Sequence, residues 1–182
     1  MSSQKDKTRV FVALYFREGI TSSERSEELL GHAKFHWAIW TEPKGSLGRG
    51  CCYQVVKSDA FINVPDSGGW EYSFRRIRDC TRSGSMLGRI MVGKLPNDVG
   101  PEVLNNVLIR IPLPSEDGHS GESCVTWTVS ALKELQLLGW AENFRVKEFM
   151  DHGLYRANRW YNHRSWRDRN LKENYALQRN FP

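Results

Sequence analysis

The sequence predicts an α+β domain: a mostly antiparallel sheet packed on a buried central helix, followed by a helical, basic C-terminal tail. Three observations carry this. Apolar and β-branched runs of strand length recur through the first 95 residues, broken by Gly- and Pro-rich turns. One longer apolar stretch, from Cys124 to about Leu138, opens on a polar capping residue. The charge is also segregated: of a net +5, residues 151–182 hold seven Lys/Arg against three Asp/Glu, which is +4, so the rest is close to neutral. A chain of 182 residues fits one domain of this kind. The expected division is a disordered start at 1–7, the domain at 8–150 and the basic, aromatic extension at 151–182.

Arg9–Phe16 (RVFVALYF) reads as a buried strand, rich in β-branched and aromatic residues. A short helical signal follows at Ser23–Leu30. Lys34–Thr41 (KFHWAIWT) is the second strand, with Phe35, Trp37 and Ile39 on one face and His36, Ala38 and Trp40 on the other. Glu42–Gly50 (EPKGSLGRG) reads as the hairpin loop, and Cys52–Lys57 as the returning strand. A turn at Asp66–Gly69 leads to a strand at Trp70–Ile77, and Met86–Leu95 is a further strand. Pro101 suits the first residue of a helix running to about Ile109. After the loop Pro112–Gly121, Ser123 is a natural N-cap for the long helix, and Gly139 a natural stop. Apolar residues on several sides of that helix predict a buried one.

Composition narrows the class. No apolar run approaches the roughly 20 residues that span a bilayer, and the polar first residues lack a signal-peptide core, so a cytoplasmic protein is expected. Four Cys without a C-x-x-C pair predict free thiols in a reducing compartment, with no disulfide framework or Cys-rich zinc site. His32 and His36 have an H-x-x-x-H spacing, but His36 lies in a strand pattern and nothing nearby completes a metal site, so no metal and no cofactor is expected.

Two residues stand out chemically. A thiol in the first turn of a helix meets unpaired N–H groups and the positive end of the helix dipole, so the pKa of Cys124 is expected to fall. Those N–H groups could also hold an oxyanion. His36, on a strand, is held as rigidly as a general base should be, although a lone His more often has a structural role. His119, five residues before Cys124, is an alternative base. Cys51, Cys52 and Cys80 read as structural. In the tail, Tyr155, Arg156, Arg159, Trp160, Tyr161, Arg164, Trp166, Arg167 and Arg169 interleave charge with rings. Such a segment can bind single-stranded nucleic acid, or pack its rings on the domain and show its arginines to water; packing is the expectation.

His36-Trp-Ala-Ile-Trp40, followed by a Gly-rich hairpin, resembles the His-bearing strand of the circularly permuted papain-like thiol enzymes, the lecithin:retinol acyltransferase / NlpC-like superfamily. Ser123-Cys124-Val-Thr-Trp127, opening a helix, looks like the nucleophile motif of that group, and the order His before Cys fits its permutation. The resemblance covers roughly residues 8–140. It implies a permuted papain-like fold with Cys124 as nucleophile and His36 as base. Folding the hairpin about residues 45–46 brings Gln54 to the place of the group's third polar residue, more typically His. A Gln carbonyl can accept the imidazole N–H but cannot neutralise an imidazolium. The polar, basic C-terminus lacks the apolar anchor common in the lipid-acting relatives.

The expectation is therefore a cysteine-dependent hydrolase or acyltransferase working on an amide, ester or peptide bond of a small-molecule or peptide substrate, through a thioacyl-enzyme. The alternative is a catalytically weak or inactive binding module on the same fold, acting through its groove or its basic tail on protein or nucleic acid.

Overall fold

A computed structural model describes residues 7–21, 31–57, 69–115, 123–163 and 170–175. The strands are β1 (Thr8–Phe16), β2 (Phe35–Pro43), β3 (Gly50–Lys57), β4 (Trp70–Ile77), β5 (Met86–Lys94) and β6 (Lys172–Asn174). The helices are α1 (Pro101–Leu108), α2 (Cys124–Leu137) and α3 (Val146–Asn162), with single 3-10 turns at Gly31–Lys34 and Cys80–Arg82. One six-stranded sheet runs in the order β4-β3-β2-β1-β5-β6. Neighbours are antiparallel except the last pair, where β6 lies parallel to β5, so the sheet is mixed. The expected helix at Ser23–Leu30, most of the turn at Asp66–Gly69, His119 and residues 1–6 lie outside the described residues.

The central position of β1 follows from its composition. Paired with β2 on one side and β5 on the other, it is buried on both faces from Arg9 to Leu14. Val10, Val12 and Leu14 join Phe35, Trp37, Ile39, Ile90 and Val92 beneath the helices. Phe11 and Ala13 turn the other way, with Ala38, Trp40, Cys52, Cys80 and Met91. The alternation read along β2 is the one observed.

Three differences from the sequence reading have physical causes. Glu42 and Pro43 belong to β2 and not to the loop. Glu42 is 1% exposed because its carboxylate meets Arg89 at 2.9 Å, Lys172 at 2.9 Å and the indole N–H of Trp40 at 2.8 Å. A charged residue reads as loop in a sequence, and long-range partners overrule it. Helix α2 buries one side only: Cys124, Trp127, Thr128, Ala131, Leu132 and Leu135 are covered while Leu137 is 82% exposed. Of its other apolar residues, Val125 and Val129 are half-buried against the same core, and Leu137 and Leu138 are left at the surface. Finally, α3 runs across the expected boundary at 150/151 and seats Phe149, Met150, Gly153, Ala157 and Trp160 in the main core. The start of the extension is thus integral to the domain, and β6 extends the sheet itself.

Candidate functional site

Helix α2 starts at Cys124 because Ser123 caps it. Ser123 is extended (φ −161°, ψ −173°), its Oγ accepts the Val125 N–H at 3.1 Å, and Thr126 Oγ1 accepts the Ser123 N–H at 2.9 Å. That reciprocal box satisfies donors that would otherwise be free at the helix start. The Cys124 side chain, 3% exposed, turns into the helix-side core. The backbone N–H groups of Trp37, Cys124 and Val125 and the Arg17 guanidinium all favour its thiolate. All four pull the thiol pKa down, but burial dominates and pushes it up. The lowered pKa expected from sequence is therefore overturned: the helix N-terminus acts as argued, in a site too dry for it to prevail.

His36 lies on β2 opposite Tyr15 of β1, with ring centroids 5.7 Å apart. Its Nε2 is 2.7 Å from Gln54 Oε1. A carbonyl oxygen can only accept, so Nε2 donates and Nδ1 is left with its lone pair. Burial pushes the imidazole pKa down, the Gln54 bond opposes this, and the Arg17 charge adds to the lowering. Arg17 is anchored by a 2.6 Å bond from Nη1 to the Ala33 carbonyl. Neutral thiol and neutral imidazole are thus both favoured in the resting protein.

The way β2 and β3 part explains how these groups approach. Their ladder is confined to Ile39, Trp40 and Thr41 with Tyr53, Cys52 and Cys51. Beyond it β3 goes on with β4 alone, and β2 goes on with β1. A strand N–H lies in the plane of its sheet. The Trp37 N–H aimed at Cys124 Sγ therefore brings the sulfur to the edge of β2, beside the residue that follows His36. The His36–Gln54 bond spans the same opening from the face of Ala38 and Cys52. His36 and Gln54 are brought together; no hydrogen bond joins Cys124 to His36 among the described residues.

The remaining candidates separate from this site. His32 bonds Asp151 of α3 at 2.9 Å, a different partner from the Gln54 that holds His36. Cys51, Cys52 and Cys80 are free and buried, and burial pushes each thiol up, Cys52 to about 11. In the extension, Trp160 is buried and Tyr161 packs on Phe16 and Phe35 at 5.9 and 6.3 Å, so these two rings are occupied by the fold. Arg164, Trp166, Arg167 and Arg169 lie outside the described residues. Sequence reasoning missed Arg17, Tyr15 and the Trp37 N–H. Pairing β1 with β2 would have found Tyr15, but a backbone donor carries no signal in residue type.

Among the described residues no helix is long and apolar enough to cross a membrane. No curated protein and no solved structure matches the chain. One family does, over residues 7–176: the chain belongs to the family of unknown function DUF6914.

Proposed function

We propose that the protein is a cysteine-dependent hydrolase or acyltransferase of the permuted papain-like kind, acting on an ester, amide or peptide bond. The observation that carries this is the pairing of the His36–Gln54 bond with a thiol at the start of α2 whose charged form the backbone N–H groups of β2 and α2 favour. Gln54 holds the tautomer in which Nδ1 is basic. In the reaction His36 Nδ1 takes the Cys124 proton as Sγ bonds to the substrate carbonyl carbon. The Cys124 N–H, which the capping box does not use, stabilises the oxyanion. The protonated imidazole then returns its proton to the departing amine or alcohol, leaving a thioacyl-enzyme for water or another acceptor to resolve. Because both resting groups are neutral, His36 works as a general base in the attacking step and not as the partner of a preformed thiolate.

The absence of a Cys124–His36 hydrogen bond among the described residues favours a second reading, a binding module with an idle site. One experiment separates the two. The protein is mixed with 4-nitrophenyl acetate near neutral pH and followed by intact-protein mass spectrometry and release of 4-nitrophenolate. The enzyme reading expects one acetyl group on Cys124, and acetylation slowed about tenfold, roughly 1.4 kcal/mol, in Gln54→Leu and more in His36→Ala. Acetylation spread over several thiols, or unchanged in both variants, refutes it.

A further inference from the structure

The sheet face opposite the helices carries a pocket of about 310 Å³, at the small end of the range for small-molecule sites. Its walls are unlike the mouth. Tyr15, Trp40, Ile77 and Met86 supply aromatic and apolar surface, and Cys52 and Cys80 add two thiols held neutral by burial. The mouth carries Arg75 and Arg82, both exposed, and Asp79. The Asp79 carboxylate is engaged, accepting Thr81 N–H at 2.9 Å and Thr81 Oγ1–H at 2.6 Å.

The two arginines are the informative part. On β4, neighbouring Arg76 points the other way and pairs with Glu102 of α1. Arg75 faces the pocket beside Cys52, its register partner, and has no ion pair or hydrogen bond among the described residues; Arg82 makes no hydrogen bond there, and its charge helps to hold the Asp79 carboxyl ionised. Behind the wall lies more positive charge. Arg89 is fully buried, over the Trp40 ring at 5.6 Å, and donates to Cys80 Sγ at 3.2 Å. It shares the single carboxylate of Glu42 with Lys172. Guanidinium groups at the mouth of a cleft walled by aromatic and apolar side chains match a ligand that is apolar at one end and anionic at the other, since a guanidinium fork pairs with a carboxylate through two parallel N–H···O bonds.

We propose that this pocket binds a small carboxylate with a flat apolar body, the ring seated against Tyr15 and Trp40 and the acid held by Arg75 and Arg82. The pocket shares its sheet face with His36, since Gln54 lines it while bonding His36 and Tyr15 packs on the His36 ring at 5.7 Å, whereas the Cys124 thiol lies in the helix-side core.

Isothermal titration with 3-phenylpropanoate and its uncharged amide, 3-phenylpropanamide, tests it. The acid is expected to saturate one site and to bind about tenfold more tightly than the amide. The advantage should shrink with added salt, and vanish in the Arg75→Gln/Arg82→Gln variant. Both substitutions are at exposed positions, so the melting temperature should hold and report that the fold is intact. Cys124→Ala should bind the acid as the wild type does, which keeps this result separate from that of the acetylation experiment. No saturable binding of the acid, equal binding of acid and amide, or undiminished acid binding in the double variant overturns the proposal.

Discussion

Gly153→Ala is the sharpest test of how the start of the C-terminal extension supports the candidate site. Gly153 lies on the buried side of α3, where an added Cβ would stand 2.7 Å from Cη2 and 2.8 Å from Cζ3 of Trp37. Replacing Gly by Ala inside a helix ordinarily gains about 1 kcal/mol. Here the methyl meets a ring that is fully buried and tied by its indole N–H to the His32 carbonyl at 2.8 Å. Overpacking of that kind is destabilising by about 1–3 kcal/mol. The net expectation is a loss of about 1 kcal/mol, or roughly 2–4 °C in melting temperature for a chain of this size. Circular dichroism on heating measures it, with Gly84→Ala as control: no atom lies within 4 Å of a Cβ there. The backbone of Trp37 also supplies the N–H aimed at Cys124, so thiol alkylation at fixed pH should change in Gly153→Ala and not in the control. A melting temperature that rises in Gly153→Ala would show that propensity wins, that Trp37 gives way, and that α3 is not seated as described.

Two further outcomes follow from the buried charges and titrating groups. Burial lowers the His36 pKa, so the fold favours neutral imidazole: that stability is present above the ordinary 6.5 and is lost as pH falls through the folded value. Burial raises the thiols, so their contribution is present below the ordinary 9.0 and is lost as pH rises, up to about 11 for Cys52. Melting temperature against pH should therefore fall on both sides of a plateau between these limits, and His36→Asn should flatten the acid side; an unchanged acid limb in that variant refutes the assignment. Glu42→Gln leaves Arg89 and Lys172 beneath the sheet without their shared carboxylate, a loss of about 3–5 kcal/mol for a broken buried pair. It should be plain in the urea midpoint, and a shift worth less than about 1 kcal/mol would show that the network carries little.

What could be read from the sequence was what depends on neighbours along the chain. The β2 alternation needed only the period of a strand, and the start of α2 at Cys124 needed only Ser123 before it. The His36–Gln54 contact needed one longer step, the fold-back of a Gly-rich hairpin, and a turn fixes register across a short span. Glu42 failed for the opposite reason. Its partners Arg89 and Lys172 are 47 and 130 residues away by subtraction of their numbers, and no local rule reports a counter-charge at that distance. The parallel strand β6 escaped likewise: its three residues, Lys-Glu-Asn, have no strand character of their own and are strand only because β5 has a free edge.

The Cys124 thiol shows where local reasoning about a site breaks down. The helix dipole and first-turn N–H groups are properties of a few consecutive residues, and they do act on the sulfur. Burial belongs to the assembled core, to Trp37 and the helix-side cluster that close around it, and it sets the opposite sign. The same holds for His36, where the legible contribution, the Gln54 bond, raises the pKa and the illegible one, burial, lowers it further. The Cys124 reading overestimates charge at rest, because a sequence displays the groups that stabilise an ion and hides the apolar atoms that exclude water from it. The corrected pair, neutral on both members, makes a definite kinetic demand. Alkylation of Cys124 by a neutral reagent should climb with pH through 9 without the early plateau of a thiolate–imidazolium pair, whereas acylation by an activated ester, which His36 can assist as a base, should level off once the imidazole has lost its proton below 6.5. Two parallel profiles, both rising through 9, would mean that His36 takes no proton from Cys124.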